Sequence, residues 1–256
     1  MRKKHALVIG GTKGIGRALA KLLASENQNV SVVSRQLPPE VRRSLPSVRF
    51  WEADLLDDHR LFQTLDHIVQ ERGRLNYAIF LQRFRGEGDE WTGEIDTSLT
   101  ATKKVIEYLA GRFDPLEAAI VLVGSVRSDF VDTSAPLSYH VAKAGFVQMA
   151  RYYALLLGQK RIRVNCVSPG TTIKEESKSR FLNNKRLQQF YRKLIPLRRM
   201  GTAEDVAHVI AFLCSPGASF VTGQNIIIDG GVTIQWQEAV AERFGSSREI
   251  YGLKKI

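Results

Sequence analysis

The stretch from His5 to Leu23, HALVIGGTKGIGRALAKLL, decides the fold. Its first five residues are a short apolar run, its middle is rich in glycine, and from Ile15 to Leu23 apolar side chains recur at helical spacing. This predicts a strand, a tight turn and a helix. Glycines in such a turn let a ligand approach the backbone closely. The helix N-terminus behind them offers unpaired N–H groups and partial positive charge to a pyrophosphate. Gly10, Thr12, Lys13, Gly14, Ile15 and Gly16 are therefore candidate contacts for a dinucleotide.

Outward from this unit, the same alternation continues. Strands are expected at residues 29–34, 47–53, 76–81, 118–124, 161–168 and 225–231, with helices at 61–71, 94–113, 138–157 and 203–214. Strands of continuous apolar character alternating with helices imply an α/β fold: one Rossmann-like domain over residues 1–256, with a doubly wound parallel sheet of about seven strands and helices on both faces. The second strand ends at Ser34 and Arg35, with no acidic residue to accept from an adenosine ribose. Arg35 and Lys13 can instead flank a 2′-phosphate, so the cofactor expected is NADP, with NADPH preferred over NADH.

The composition is that of an ordinary globular protein, with 44% hydrophobic and 25% charged residues in a chain of 256. Cys166 and Cys214 sit in apolar runs without metal-ligand or disulfide-scaffold spacing, so no metal site is expected and a reducing, cytoplasmic location is. No apolar stretch approaches a membrane span. The net charge of +11 is spread along the chain without a nucleic-acid-binding motif, so neither nucleic acid nor membrane is an expected partner.

The stretch SYHVAKAG (138–145) puts the phenol of Tyr139 and the ammonium of Lys143 four residues apart, on one helix face. Together with GGTKGIGRALA (10–20), Asp54-Leu55, Ser125, RVNCVSPG (163–170), IPLRRMGTAEDVAHVIAFLCSP (195–216) and VTGQNIIIDGG (221–231), it resembles the classical short-chain dehydrogenases/reductases, among them the 3-oxoacyl-carrier-protein reductases. The resemblance implies a nicotinamide cofactor and reversible carbonyl/alcohol chemistry at a small-molecule substrate. It also implies that Tyr139 is the general acid and base, Ser125 a donor to the substrate oxygen, and Lys143 a ligand of the nicotinamide ribose. Asp54, Leu55, Leu81, Pro169, Gly170 and Thr172, with Tyr139 and Lys143, are the further cofactor contacts it implies. A free phenol keeps its proton to about pH 10, so an acid of this type working near neutrality needs a cation beside it. At about 4 Å and an effective dielectric near 20 a cation supplies about 4 kcal/mol.

Three positions depart from the family pattern. Its threonine before the glycine turn is Ile9, its Asn-Asn-Ala-Gly after the fourth strand is Phe80-Leu81-Gln82-Arg83, and its catalytic asparagine is Ser98. An apolar contact of Ile9 with Phe80 or Leu81 is expected in place of a polar one, and Ser98 is expected to hold a water in a proton relay. Ser125 precedes Tyr139 by fourteen residues, one more than usual, with Ser128 and Ser134 as alternatives. The segment 171–193 corresponds to the family's substrate flap. Its lysines and arginines, with Phe181, Phe190 and Tyr191 and with Arg83, Arg85 and Arg127 near the strand ends, suggest an anionic or carrier-linked substrate. His140 is expected to pack rather than to ligate. The resemblance further implies a homotetramer or homodimer, and the tail 234–256 runs past the usual family end. The alternative from another class is a catalytically weak nucleotide-binding regulatory or interaction protein on the same fold.

Overall fold

In the computed structural model, residues 3–173 and 178–244 are described. Part of the expected flap (174–177) and part of the tail (245–256) lie outside the described residues. Strand β1 (His5–Ile9) leads through the glycine turn into α1 (Gly14–Ser25), followed by β2 (Asn29–Ser34), a short α2 (Pro39–Ser44), β3 (Val48–Glu52) and α3 (Asp58–Arg72). The second half continues with β4 (Tyr77–Phe80), α4 (Glu90–Glu94), a π-helical turn (Ile95–Thr100), α5 (Ala101–Leu109), β5 (Ala118–Val123), α6 (Leu137–Gly158) and β6 (Ile162–Pro169). The order of the main sheet is β3-β2-β1-β4-β5-β6-β9, with β9 at Asn225–Ile228, and every pair is parallel.

Side chains alternate across this sheet, as the two-residue period of a strand requires. Leu7 and Ile9 join one buried cluster with Leu61 and Leu65 of α3, Val105 of α5 and Phe146 of α6. Ala6 and Val8 join the other, with Leu19 and Leu23 of α1 and with Val206 and Ile210 of α9 (Ala203–Cys214). Both faces are thus covered, which is why these strands read as unbroken apolar runs. Ile9 is the register partner of Phe80 and shares its cluster, so the apolar contact expected from the two altered positions is present.

The expected long helix over 94–113 differs in detail. It begins earlier, as α4, passes through the π turn and ends at Leu109, just before Gly111. The early start follows from Asp89, whose carboxylate accepts from the Thr92 N–H as an N-cap. Four further elements lie between β6 and α9: β7 (Thr172–Ile173) pairs with β8 (Gly201–Thr202), and α7 (Lys178–Leu182) and α8 (Lys185–Leu194) lie in the expected flap, α8 running one residue past it. Helix α10 (Gln237–Arg243) follows β9. No helix of the described residues is long and apolar enough to cross a membrane.

Candidate functional site

Strand order reverses between β1 and β4, and in an open parallel sheet a crevice forms outside the carboxyl ends of the strands at that point. A cleft of about 980 Å³ lies there. Its floor is the first turn. Gly16 faces the Gly10 carbonyl and the Gly11 Cα so closely that a Cβ could not be accommodated, so the turn folds tightly under the cleft. Lys13 occupies the N-cap of α1 without a side-chain hydrogen bond, which leaves the first N–H groups of the helix directed at the cleft. An uncapped helix end above a cradle closed to side chains fits a pyrophosphate.

Gly10, Thr12, Lys13, Gly14, Ile15 and Gly16 line the cleft, as do Ser34 and Arg35 at the end of β2. Asp54 and Leu55 after β3, Leu81 after β4, and Pro169, Gly170 and Thr172 after β6 line it as well. Asp54 Oδ1 accepts from the Leu56 N–H, fixing the turn there. Arg35 donates to the Arg85 carbonyl at 3.5 Å, and Thr12 and Ser34 hydroxyls are also 3.5 Å apart. The residues present therefore fit a dinucleotide, and the basic pair Lys13 and Arg35 stands at the β2 end of the cleft.

Three expected residues from two elements meet at the other end. Ser125, which follows β5, and Tyr139 and Lys143 of α6 all line the cleft. Lys143 is buried, with Nζ 5.4 Å from the Tyr139 ring centroid and 4.7 Å from that of Phe146, and it donates to the Val123 carbonyl at 3.0 Å. Ser125 caps the 3-10 turn Val126–Ser128, its Oγ accepting from the Arg127 N–H at 3.2 Å. The alternatives do not line the cleft: Ser128 donates to the Ser125 carbonyl and Ser134 pairs with Asp132 and Arg127. His140 is buried and its two ring nitrogens each lie 3.0 Å from a carbonyl oxygen, of Arg127 and of Asp132, so it braces the loop that carries Ser125. In that loop the Ser134 hydroxyl and the Arg127 guanidinium hold the Asp132 carboxyl down to about 2.

Ser98 is not brought to this group. It is fully buried in the π turn, does not line the cleft, and its hydroxyl donates to Glu94 Oε1 at 2.6 Å. Sequence reasoning missed Glu94, a carboxylate only 3% exposed, because a glutamate at the start of a helix reads as a solvent-facing residue. Its other oxygen accepts from the Phe84 N–H at 3.1 Å. Gln82 was missed likewise: it lines the cleft and donates to Thr102 Oγ1 at 2.6 Å. Arg83, Arg85 and Arg127 all line the cleft. Of the three flap aromatics only Tyr191 does. Phe190 packs instead against Phe244, ring centroids 5.3 Å apart.

Burial pushes the thiol of Cys166, under the site, up to about 11, and that of Cys214 up to about 12. Among the described residues no group of three or more His, Cys, Asp or Glu could hold a metal ion.

Comparison with known proteins agrees with this architecture. The family profile described as enoyl-(acyl carrier protein) reductase matches residues 10–233. A 3-oxoacyl-[acyl-carrier-protein] reductase of Chlamydia trachomatis is 29% identical over 247 residues, covering 90% of this chain and 97% of that protein. Glucose 1-dehydrogenase 2 of Bacillus subtilis is 28% identical over 250 residues, covering 90% and 95%. Among solved structures, a variant of a Serratia marcescens short-chain dehydrogenase/reductase superposes with a TM-score of 0.79 at 25% identity, over 90% of this chain and 98% of that one. The chain belongs to the short-chain dehydrogenase/reductase family of oxidoreductases.

Proposed function

We propose that the protein is an NADP(H)-dependent oxidoreductase that interconverts a carbonyl compound and a secondary alcohol, with Ser125, Tyr139 and Lys143 as the reacting site. The observation that carries this reading is that these three side chains line one cleft with a glycine turn fit for a pyrophosphate and with a basic pair, Lys13 and Arg35, at its far end. When bound, the nicotinamide supplies or accepts the hydride. Tyr139 gives its hydroxyl proton to the substrate oxygen in reduction and takes it back in oxidation. Ser125 donates a hydrogen bond to the same oxygen as negative charge develops on it. Lys143, buried beside the Tyr139 ring, places its ammonium where the phenol leaves negative charge behind, and is the residue that would hold a ribose hydroxyl. Arg35 and Lys13 hold the 2′-phosphate, which an acidic residue at the end of β2 would repel.

The basic lining at the mouth, Arg83, Arg85 and Arg127, favours a substrate that carries negative charge itself or on a carrier. An exposed strip on α6, with Tyr152 62%, Leu155 84% and Leu156 52% accessible, supports a homodimer or homotetramer. The second reading, a nucleotide-binding regulatory or interaction protein, draws on the position of Ser98, whose hydroxyl is committed to Glu94 and not to the reacting group. Following NADPH oxidation over a panel of ketones and aldehydes, alongside fluorescence titration of NADPH and NADH, separates the two. The reductase reading expects turnover and tighter binding of NADPH. Tight nucleotide binding with no turnover of any carbonyl supports the second.

A further inference from the structure

The loop after β4 carries Gln82 and Arg83, and it is held by contacts of its own. The buried Glu94 carboxylate accepts from the Phe84 N–H. The Phe84 ring lies over Gly93 so closely that a Cβ there could not be accommodated, so the helix presents a glycine where the ring packs. On the other side of Arg83, Gln82 is buried and donates to Thr102. Burying a carboxylate is costly unless it is satisfied, and here its hydrogen bonds fix the backbone of a loop. Arg83 stands between these two anchored residues.

From that position the Arg83 guanidinium lies over the Tyr139 ring, its central carbon 5.0 Å from the ring centroid. Of its neighbours at the mouth, Arg127 is committed, donating to Asp132 at 2.7 Å and to Ser134 at 3.0 Å. The Arg85 backbone is tied through its carbonyl to Arg35, toward the β2 end of the cleft. Among the described residues Arg83 has no carboxylate partner, although it lines the cleft. A guanidinium that lies over a ring and has no carboxylate partner can offer its N–H fork for two parallel hydrogen bonds, the geometry that suits a carboxylate.

We infer that Arg83 is a specificity-determining clamp for a substrate carboxylate, and that the compound reduced at Tyr139 is a small 2- or 3-oxo acid. This rests on the reductase reading above. The cation lies over the ring that carries the reacting hydroxyl, so a substrate oxygen on the Tyr139 hydroxyl puts groups a few bonds away beside Arg83. A carboxylate on a distant carrier would not reach it. The loop's anchors mean that little ordering is left to be done when the acid binds.

The test compares acetoacetate with ethyl acetoacetate, and 2-oxobutyrate with its methyl ester, in the wild type and in Arg83→Gln and Arg83→Lys. A neutral N-acetylcysteamine thioester of acetoacetate is the carrier mimic. The wild type is expected to prefer each acid to its ester. The acid-to-ester ratio of kcat/KM should fall by about 10- to 100-fold in Arg83→Gln and by less in Arg83→Lys, which keeps the charge without the fork. Calorimetric binding of 3-hydroxybutyrate to the protein with NADP+ should weaken by a similar factor, and NADPH affinity should change less than about twofold. An unchanged ratio in Arg83→Gln, a thioester preferred to the acid, or a loss of NADPH affinity that accounts for the effect would each overturn the inference. If no carbonyl compound is turned over, the reductase reading fails and the calorimetry alone decides. Loss of 3-hydroxybutyrate binding in Arg83→Gln would then still uphold the clamp, and unaltered binding would overturn it.

Discussion

At the end of β2, Ser34 and Arg35 stand where a carboxylate would have selected a ribose hydroxyl, and Lys13 lines the same cleft. Losing a charge-assisted hydrogen bond to a phosphate costs about 1.5–3 kcal/mol, or about 10- to 100-fold in affinity. Arg35→Asp should therefore weaken NADPH by at least that factor while leaving NADH binding much closer to wild type, as fluorescence titration of both cofactors would show. The cysteines give a second prediction. Burial raises both thiols well above neutrality, Cys166 to about 11 and Cys214 to about 12, so neither is available as thiolate at pH 8. A thiol reagent should label both only after denaturation, and fast labelling of the native protein would show that one is accessible. The residues at the ends of strands were legible in sequence because their spacing relative to strands and helices fixes where they emerge. Glu94 and Gln82 were not, because their burial depends on the return of the β4 loop across the π turn, a long-range packing event that leaves no periodic signal.

Helix α9 is stabilised at its start by a capping box. Thr202 Oγ1 accepts from the Asp205 N–H, the Asp205 carboxylate accepts from the Thr202 N–H, and Arg199 donates to both carboxylate oxygens at 2.6 and 2.9 Å. The Arg199 hydrogen bond is the chief reason the Asp205 carboxyl is lowered to about 2 from 3.8. The folded-state value lies below the unfolded one, so this contribution is complete above about pH 4 and is lost as pH falls through about 2. Asp205→Asn should cost about 1–2 kcal/mol near neutrality. The difference in Tm between the variant and the wild type should shrink between pH 5 and pH 2, and a gap that widens on acidification would contradict the assignment. Glu94→Ala should cost about 1–3 kcal/mol by stranding the Phe84 N–H and the Ser98 hydroxyl, and should raise KM more than it lowers kcat. Urea unfolding and steady-state kinetics check the two halves. Long elements of the fold were legible because their apolar period is unambiguous. The short α2 was not, since it has a single buried residue, Val41, and is set mainly by Pro39 in its first turn. Helix α8 likewise has no buried residue to mark it.

Across the whole molecule, seven parallel strands covered on both faces hold the glycine turn and α6 on opposite sides of one cleft, and that separation is set by strand order. The alternation of elements made this sheet predictable. It left open how the basic residues divide between the cofactor end and the reacting end, because that depends on which loops meet over the cleft. The apolar strip of α6 leads to an expectation at this scale. The 28.7 kDa chain should sediment as a dimer or tetramer, and Leu155→Glu should shift it toward monomer. A wild-type monomer at micromolar concentration would exclude the assembly. The central claim is that the intact protein moves a proton through Tyr139 beside a bound NADPH. The most direct measurement is NADPH oxidation by Tyr139→Phe with a carbonyl compound that the wild type reduces, combined with NADPH affinity by fluorescence. The account predicts turnover at least about 1,000-fold lower at nearly unchanged affinity, and a phenylalanine variant that retains turnover would contradict it.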